Sequence, residues 1–174
     1  MYHTIVVLVE DIPGVLNRVS SLFRRRAFNI ASLTVGRTTT PGVSRMTIYL
    51  ETDEVSAERL IAYLYKLVNV IQVEDLNGTP TVSRDLAMIK VKATDENRTS
   101  IMQIVDVFRA RIVDVTNASL IIEITGDEEK IESFIEVLRP WGVIEMVRTG
   151  VVAMARGVTP LYANGQAQNV SAAV

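Results

Sequence analysis

The hydrophobic pattern of this chain runs strand, helix, strand, strand, helix, strand, and then repeats that order. Thr4-Ile5-Val6-Val7-Leu8-Val9 is short and β-branched, as a buried strand is. Val15, Leu16, Val19, Leu22 and Phe23 then fall on one stripe of a helix running from Pro13 to about Arg26. Strands follow over 29–38 and 44–50, joined across Thr39-Thr40-Pro41-Gly42-Val43, which carries turn chemistry. A second helix, from about Val55 to Leu67, and a strand over 70–75 close the first pass. The second pass has strands over 86–93, 111–115, 119–125 and 141–148. Its helical stripes are Ile101, Ile104, Val105, Phe108 and Ile131, Phe134, Ile135, Leu138. Two tandem βαββαβ units, the ferredoxin-like order, predict an α+β fold.

The periodicity breaks at Leu76-Asn77-Gly78-Thr79-Pro80-Thr81, which places a linker over 77–84 between units at 1–76 and 85–160. Gly150 to Gly157 is apolar enough to dock on something, and the small, polar stretch over 161–174 predicts disorder. A 174-residue chain that is 48% hydrophobic is apolar for its size, which points to a partner covering part of its surface. No apolar run approaches the roughly 20 residues of a membrane helix. A net charge of −2 argues against nucleic acid as a partner. The start, Met1-Tyr2-His3-Thr4, enters a strand without a basic, apolar, small-residue signal, so a cytoplasmic protein is expected.

Between the first strand and the first helix lies Glu10-Asp11-Ile12-Pro13-Gly14-Val15-Leu16-Asn17-Arg18. Pro13 suits a first helical turn, and Gly14, without a Cβ, lets another molecule approach the main chain. A strand emptying into a helix N-terminus presents unpaired N–H groups, a natural seat for a carboxylate. A plain helix start accounts for the same residues. The second unit has Thr94-Asp95-Glu96-Asn97-Arg98 at this point, with neither proline nor glycine, so it is not built to hold the same ligand.

Catalysis finds no residues to carry it. The one histidine, His3, is expected at a solvated strand end, and there is no cysteine for thiol or thiolate-metal chemistry. Asp127-Glu128-Glu129 suits a helix start, where acids complement the dipole. Neither GxxxxGK[ST] nor GxGxxG occurs. Arg24-Arg25-Arg26 ends a predicted helix and is expected to project into water, with contact to an acidic partner subunit as the exception. Trp141 is expected to pack the second core.

The loop residues Glu10 to Val19, with Leu22 to Val35, resemble the small regulatory subunit of acetohydroxyacid (acetolactate) synthase, a family built on ACT domains. Ser44-Arg45-Met46-Thr47-Ile48, Phe108 to Val115 and Arg148 to Gly157 are similar to that family too. The resemblance implies an N-terminal ACT domain and a C-terminal ACT-like one. It implies a non-catalytic, homodimeric partner of a catalytic large subunit that itself carries thiamine diphosphate, FAD and magnesium, with no cofactor in this chain. It also implies activation of that subunit, and feedback inhibition by valine or another branched-chain amino acid. The effector would lie between paired N-terminal domains, against Asp11, Ile12, Pro13, Gly14, Val15 and Leu16, with Asn29 and Ile30 from the neighbouring chain. Two departures stand out: Asp11 replaces a frequent asparagine, and Ala27 a usual glycine, whose turn is expected to differ slightly. A free-standing ACT sensor or scaffold is the alternative from another class, and a ferredoxin-like enzyme a third.

Overall fold

β1 (Tyr2–Glu10) is the central strand on which the first unit is built. It pairs antiparallel with β3 (Val43–Glu51) on one side and β4 (Val70–Asp75) on the other, while β2 (Ile30–Arg37) pairs with β3. The order β2-β3-β1-β4 leaves β2 and β4 as edges. Alternation along β1 sends Ile5, Val7 and Val9 into the core. There they meet Val15, Val19, Leu22 and Phe23 of α1 (Val15–Arg25) and Leu60 and Leu64 of α2 (Glu54–Leu64). Val6 and Leu8, on the other face, are also fully buried. Arg45, the register partner of Leu8, donates from Nη2 to the Ala153 carbonyl at 2.5 Å.

The computed structural model describes residues 1–157, so the tail expected to be disordered over 161–174 lies outside the described residues. The second unit, Ser83–Val152, repeats the plan with order β6-β7-β5-β8. Its strands are β5 (Thr81–Lys92), β6 (Arg111–Val115), β7 (Ser119–Gly126) and β8 (Val143–Arg148). α3 (Arg98–Val107) and α4 (Glu128–Leu138) bury Ile101, Val105, Ile131, Phe134 and Leu138 against Ala87, Ile89 and Val91. Trp141 packs against this core, as expected, but from a 3-10 turn over Arg139–Trp141, and the strand starts later, at Val143. The first unit comprises Met1–Val82 and the segment from Ala153. Within the first unit the Arg156 N–H donates to the Pro80 carbonyl at 2.8 Å; a ninth strand, β9 (Val152–Ala155), pairs with β5. The α+β architecture read from the pattern is the one observed.

Two side-chain details were hidden from sequence reasoning. His3 is not a solvated strand end: it is 1% exposed, and its Nδ1 lies 2.7 Å from Asp75 Oδ2. It sits opposite Leu50 and two residues before Ile5, so alternation turns it inward. Asp85, also buried, gathers Arg148 Nε at 2.7 Å, Thr149 Oγ1 at 3.1 Å and the Gly150 N–H at 3.1 Å. Burial works against the Arg148 charge, but its bonds to Asp85 and Glu132 outweigh that and hold its pKa above the usual value.

Ala27 has φ +58°, so its turn does not differ from a glycine-type turn as expected; it is left-handed with a Cβ in place. The Ala27 N–H bonds to the Arg24 carbonyl and the Phe28 N–H to that of Phe23, the two bonds of a Schellman C-terminus. Phe28 also packs edge-on to Phe23, with ring centroids 6.2 Å apart. The second unit ends α3 identically through Arg109 at φ +53°, with Arg109 N–H to Asp106 and Ala110 N–H to Val105. Ala27→Gly relieves the left-handed strain and is expected to stabilise the protein by about 1 kcal/mol, read as a higher urea midpoint at unchanged slope. Asp85→Ala leaves Arg148 with Glu132 as its remaining carboxylate and removes the acceptor of the buried Gly150 N–H, and is expected to cost about 3 kcal/mol by the same measurement.

Candidate functional site

Where β1 ends, the chain must turn sharply to send α1 back across the sheet. Gly14 makes that turn with φ +88°, a left-handed backbone that L side chains resist. α1 therefore begins at Val15, two residues later than the proline predicts, and Pro13 stands in the turn ahead of it. A Cβ at position 14 would meet nothing within 4 Å, so space outside the turn is open. The glycine serves both conformation and access.

No side chain caps α1. The Val15 N–H reaches the Ile12 carbonyl only at 3.5 Å, and the Arg18 N–H is the first to bond to the Gly14 carbonyl, at 3.0 Å. The Leu16 and Asn17 amides between them have no acceptor within the helix, by the geometry of any α-helix start. They carry the positive end of the helix dipole, and no acidic residue occupies the first turn. Val15 turns inward to the core, whereas Ile12 and Leu16 remain 47% and 46% exposed. A pair of amides beside two exposed aliphatic side chains suits a small anion with an apolar substituent.

The second unit shows the contrast. There Asn97 Oδ1 accepts from the Thr94 N–H at 2.7 Å, and the Thr94 carbonyl takes the Arg98 N–H at 2.9 Å. Arg98 Nη2 adds bonds to the Thr116 and Asn117 carbonyls at 2.8 and 3.1 Å. α3 too starts without a side-chain cap, so the units differ not in capping but in the residue before the helix: a left-handed Gly14 with open space outside it in the first, and Asn97, whose side chain is engaged with Thr94, in the second.

Two contacts hold the first loop that sequence reasoning missed. Asn69, buried at the start of β4, donates from Nδ2 to Glu10 Oε2 at 2.6 Å, and its Oδ1 accepts from Arg18 Nη1. Its carbonyl also takes the Glu10 N–H at 3.0 Å. One amide thus ties the end of β1 to the first turns of α1 across more than 50 positions of sequence. Nothing in the local sequence marks Asn69 for this role. The second contact is Asp11 Oδ2 to Arg37 Nε, at 3.3 Å. Both partners are exposed, so it adds little stability, but it sets a cation against the carboxylate nearest the free amides.

Asp11, Ile12, Pro13, Gly14, Val15 and Leu16 come together as one loop. Asn29 and Ile30 do not join them within a chain. Arg37, at the far end of β2, is the residue beside Asp11, and Ile30 lies seven positions back along that strand. At about 3.3 Å per residue the separation is roughly 23 Å. Asn29 is exposed and Ile30 half-buried, both at the start of an edge strand.

Asn69→Ala is expected to destabilise the protein by about 1–2 kcal/mol and to speed hydrogen exchange of amides 10–18 ahead of those in the sheet centre, measured by NMR.

Comparison with known proteins identifies the family. Residues 5–72 match the family described as "AHAS small subunit-like ACT domain", and residues 84–157 that described as "Small subunit of acetolactate synthase". The "Probable acetolactate synthase small subunit" of Archaeoglobus fulgidus is 52% identical over 157 residues, covering 90% of this chain and 98% of that protein. The acetolactate synthase small subunit of Mycobacterium leprae is 49% identical, covering 89% of this chain and 92% of the relative. The crystal structure of the small subunit from Thermotoga maritima superposes with a TM-score of 0.84 at 42% identity, covering 91% of this chain and 99% of that one. No helix among the described residues is long and apolar enough to cross a membrane.

Proposed function

The chain belongs to the acetolactate synthase small-subunit family, and from that premise we propose that it is a homodimeric, non-catalytic sensor. It docks on the catalytic large subunit in the cytoplasm, raises its activity, and restrains it when a branched-chain amino acid, valine foremost, accumulates. Thiamine diphosphate, FAD and magnesium belong to the large subunit in this reading. The observation that carries it is the uncapped start of α1 behind a left-handed Gly14 with open space outside it, where the second unit has Asn97 with its side chain bonded to Thr94.

In this site the Leu16 and Asn17 amides take the effector's carboxylate. Asp11 faces its ammonium group, with Arg37 limiting repulsion between the two carboxylates. Ile12 and Leu16 line the space for the aliphatic side chain. The separation of Asn29 and Ile30 from the loop supports the dimer. β2 is an open edge, and two-fold antiparallel pairing of β2 with its copy sets the Asn29–Ile30 end of one strand beside the partner's Arg37 end. A site incomplete in one chain is completed by two. Effector binding then favours one packing of the dimer, and a differential affinity of about 1–3 kcal/mol gives a several-fold to hundred-fold effect on the enzyme.

Reconstitution with the large subunit tests this. Gly14→Asp puts a negative charge where the carboxylate binds, and is expected to abolish valine inhibition while activation by the small subunit persists. Gly14→Ala, with the same backbone strain and no charge, is expected to keep a weakened response. Undiminished inhibition in Gly14→Asp overturns the site.

A further inference from the structure

A cleft of about 370 Å³ lies in the first unit between the last turns of α1 and α2, lined by Leu22, Arg25, Arg26, Tyr63, Lys66 and Leu67. Three of these six residues are cations. Among the described residues, no carboxylate lies within ion-pair distance of any of them. The Arg26 guanidinium carbon sits 3.9 Å from the centre of the Tyr63 ring, and Lys66 Nζ lies 5.4 Å from the same centre. One aromatic ring thus draws two like charges together, an arrangement that an anion between them would relieve.

Helix capping does not account for the cluster. The carbonyl end of α1 carries about half a negative charge, which offsets a fraction of one cation. Its last carbonyls are already taken by the N–H groups of Ala27 and Phe28. Nor is the surface generally basic, since the chain carries a net charge of −2. Buried Leu22 and half-buried Leu67 give the cleft an apolar floor, which strengthens electrostatic attraction above it. Two guanidinium forks and one ammonium offer more donors than a single carboxylate can accept; a phosphate group, with several oxygens and up to two charges, matches them.

We infer that this cleft binds a polyvalent phosphate anion, free or as a phosphate ester, between Arg25, Arg26 and Lys66. The site is separate from the loop at Gly14, and its occupancy does not depend on the effector. Binding there ties the ends of α1 and α2 together, the same α1 whose start forms the loop.

Calorimetric titration of the full chain with pyrophosphate and with a nucleoside diphosphate, against sodium chloride at matched ionic strength, tests the inference. Saturable binding is expected, weakened about tenfold or more in Arg26→Gln and in Lys66→Gln, and unchanged in Gly14→Asp. Tighter binding of the nucleoside diphosphate assigns a phosphate ester; equal or weaker binding assigns free polyphosphate. These variants change exposed side chains, and an unaltered denaturation midpoint confirms their fold. The inference is overturned by the absence of heat beyond matched chloride, or by full binding in a triple variant with Arg25, Arg26 and Lys66 all changed to Gln. It is equally overturned if the wild type ignores phosphate while the triple variant loses the large subunit, which would assign the cleft to an acidic polypeptide.

Discussion

Gly14 holds a φ of +88°, and that one dihedral decides where α1 begins and what its leading amides can reach. A residue with a side chain would resist the angle and stand in the open space outside the turn. Around it the chain supplies rigidity from a distance. β1 is buried on both faces, and Asn69 clamps its last residue to Arg18 of α1. An uncapped helix start is costly unless something fixes it, and here the fixing groups lie behind the loop, leaving its front free.

The two tandem units share a scaffold and differ at the position that matters. Each sets two helices on one face of a four-stranded antiparallel arrangement, and each ends its first helix with a Schellman turn on a non-glycine residue. At the loop after the first strand they part. Both helix starts lack a side-chain cap, but the second unit places Asn97, its side chain bonded to the Thr94 N–H, where the first has a left-handed glycine with open space beside it. The second unit spends its buried charge elsewhere, gathering Arg148, Thr149 and Gly150 around Asp85.

Order of elements, their amphipathic faces and the Pro-Gly loop were all legible in the chain, because hydrophobic period and turn chemistry act within about ten residues. The resemblance to acetolactate synthase small subunits rested on the same local runs, and the matched families cover them. Errors came where neighbours in space are strangers in sequence. His3 near the chain start read as exposed, yet Asp75 waits for it on the adjacent strand. Asn69 gave no signal in the sequence, yet it holds the loop.

What the sequence determined alone is the tandem α+β plan and the loop able to expose backbone amides, since both follow from side-chain spacing and from the conformational freedom of one glycine. Only the tertiary structure decided that Ala27 bears a left-handed backbone, that Arg37 stands beside Asp11, and that Asn29 and Ile30 lie a strand's length from the loop they were grouped with. Those outcomes depend on how strands pair and register across long stretches of chain, and pairing is set by the summed burial of a whole sheet rather than by any residue's own preference.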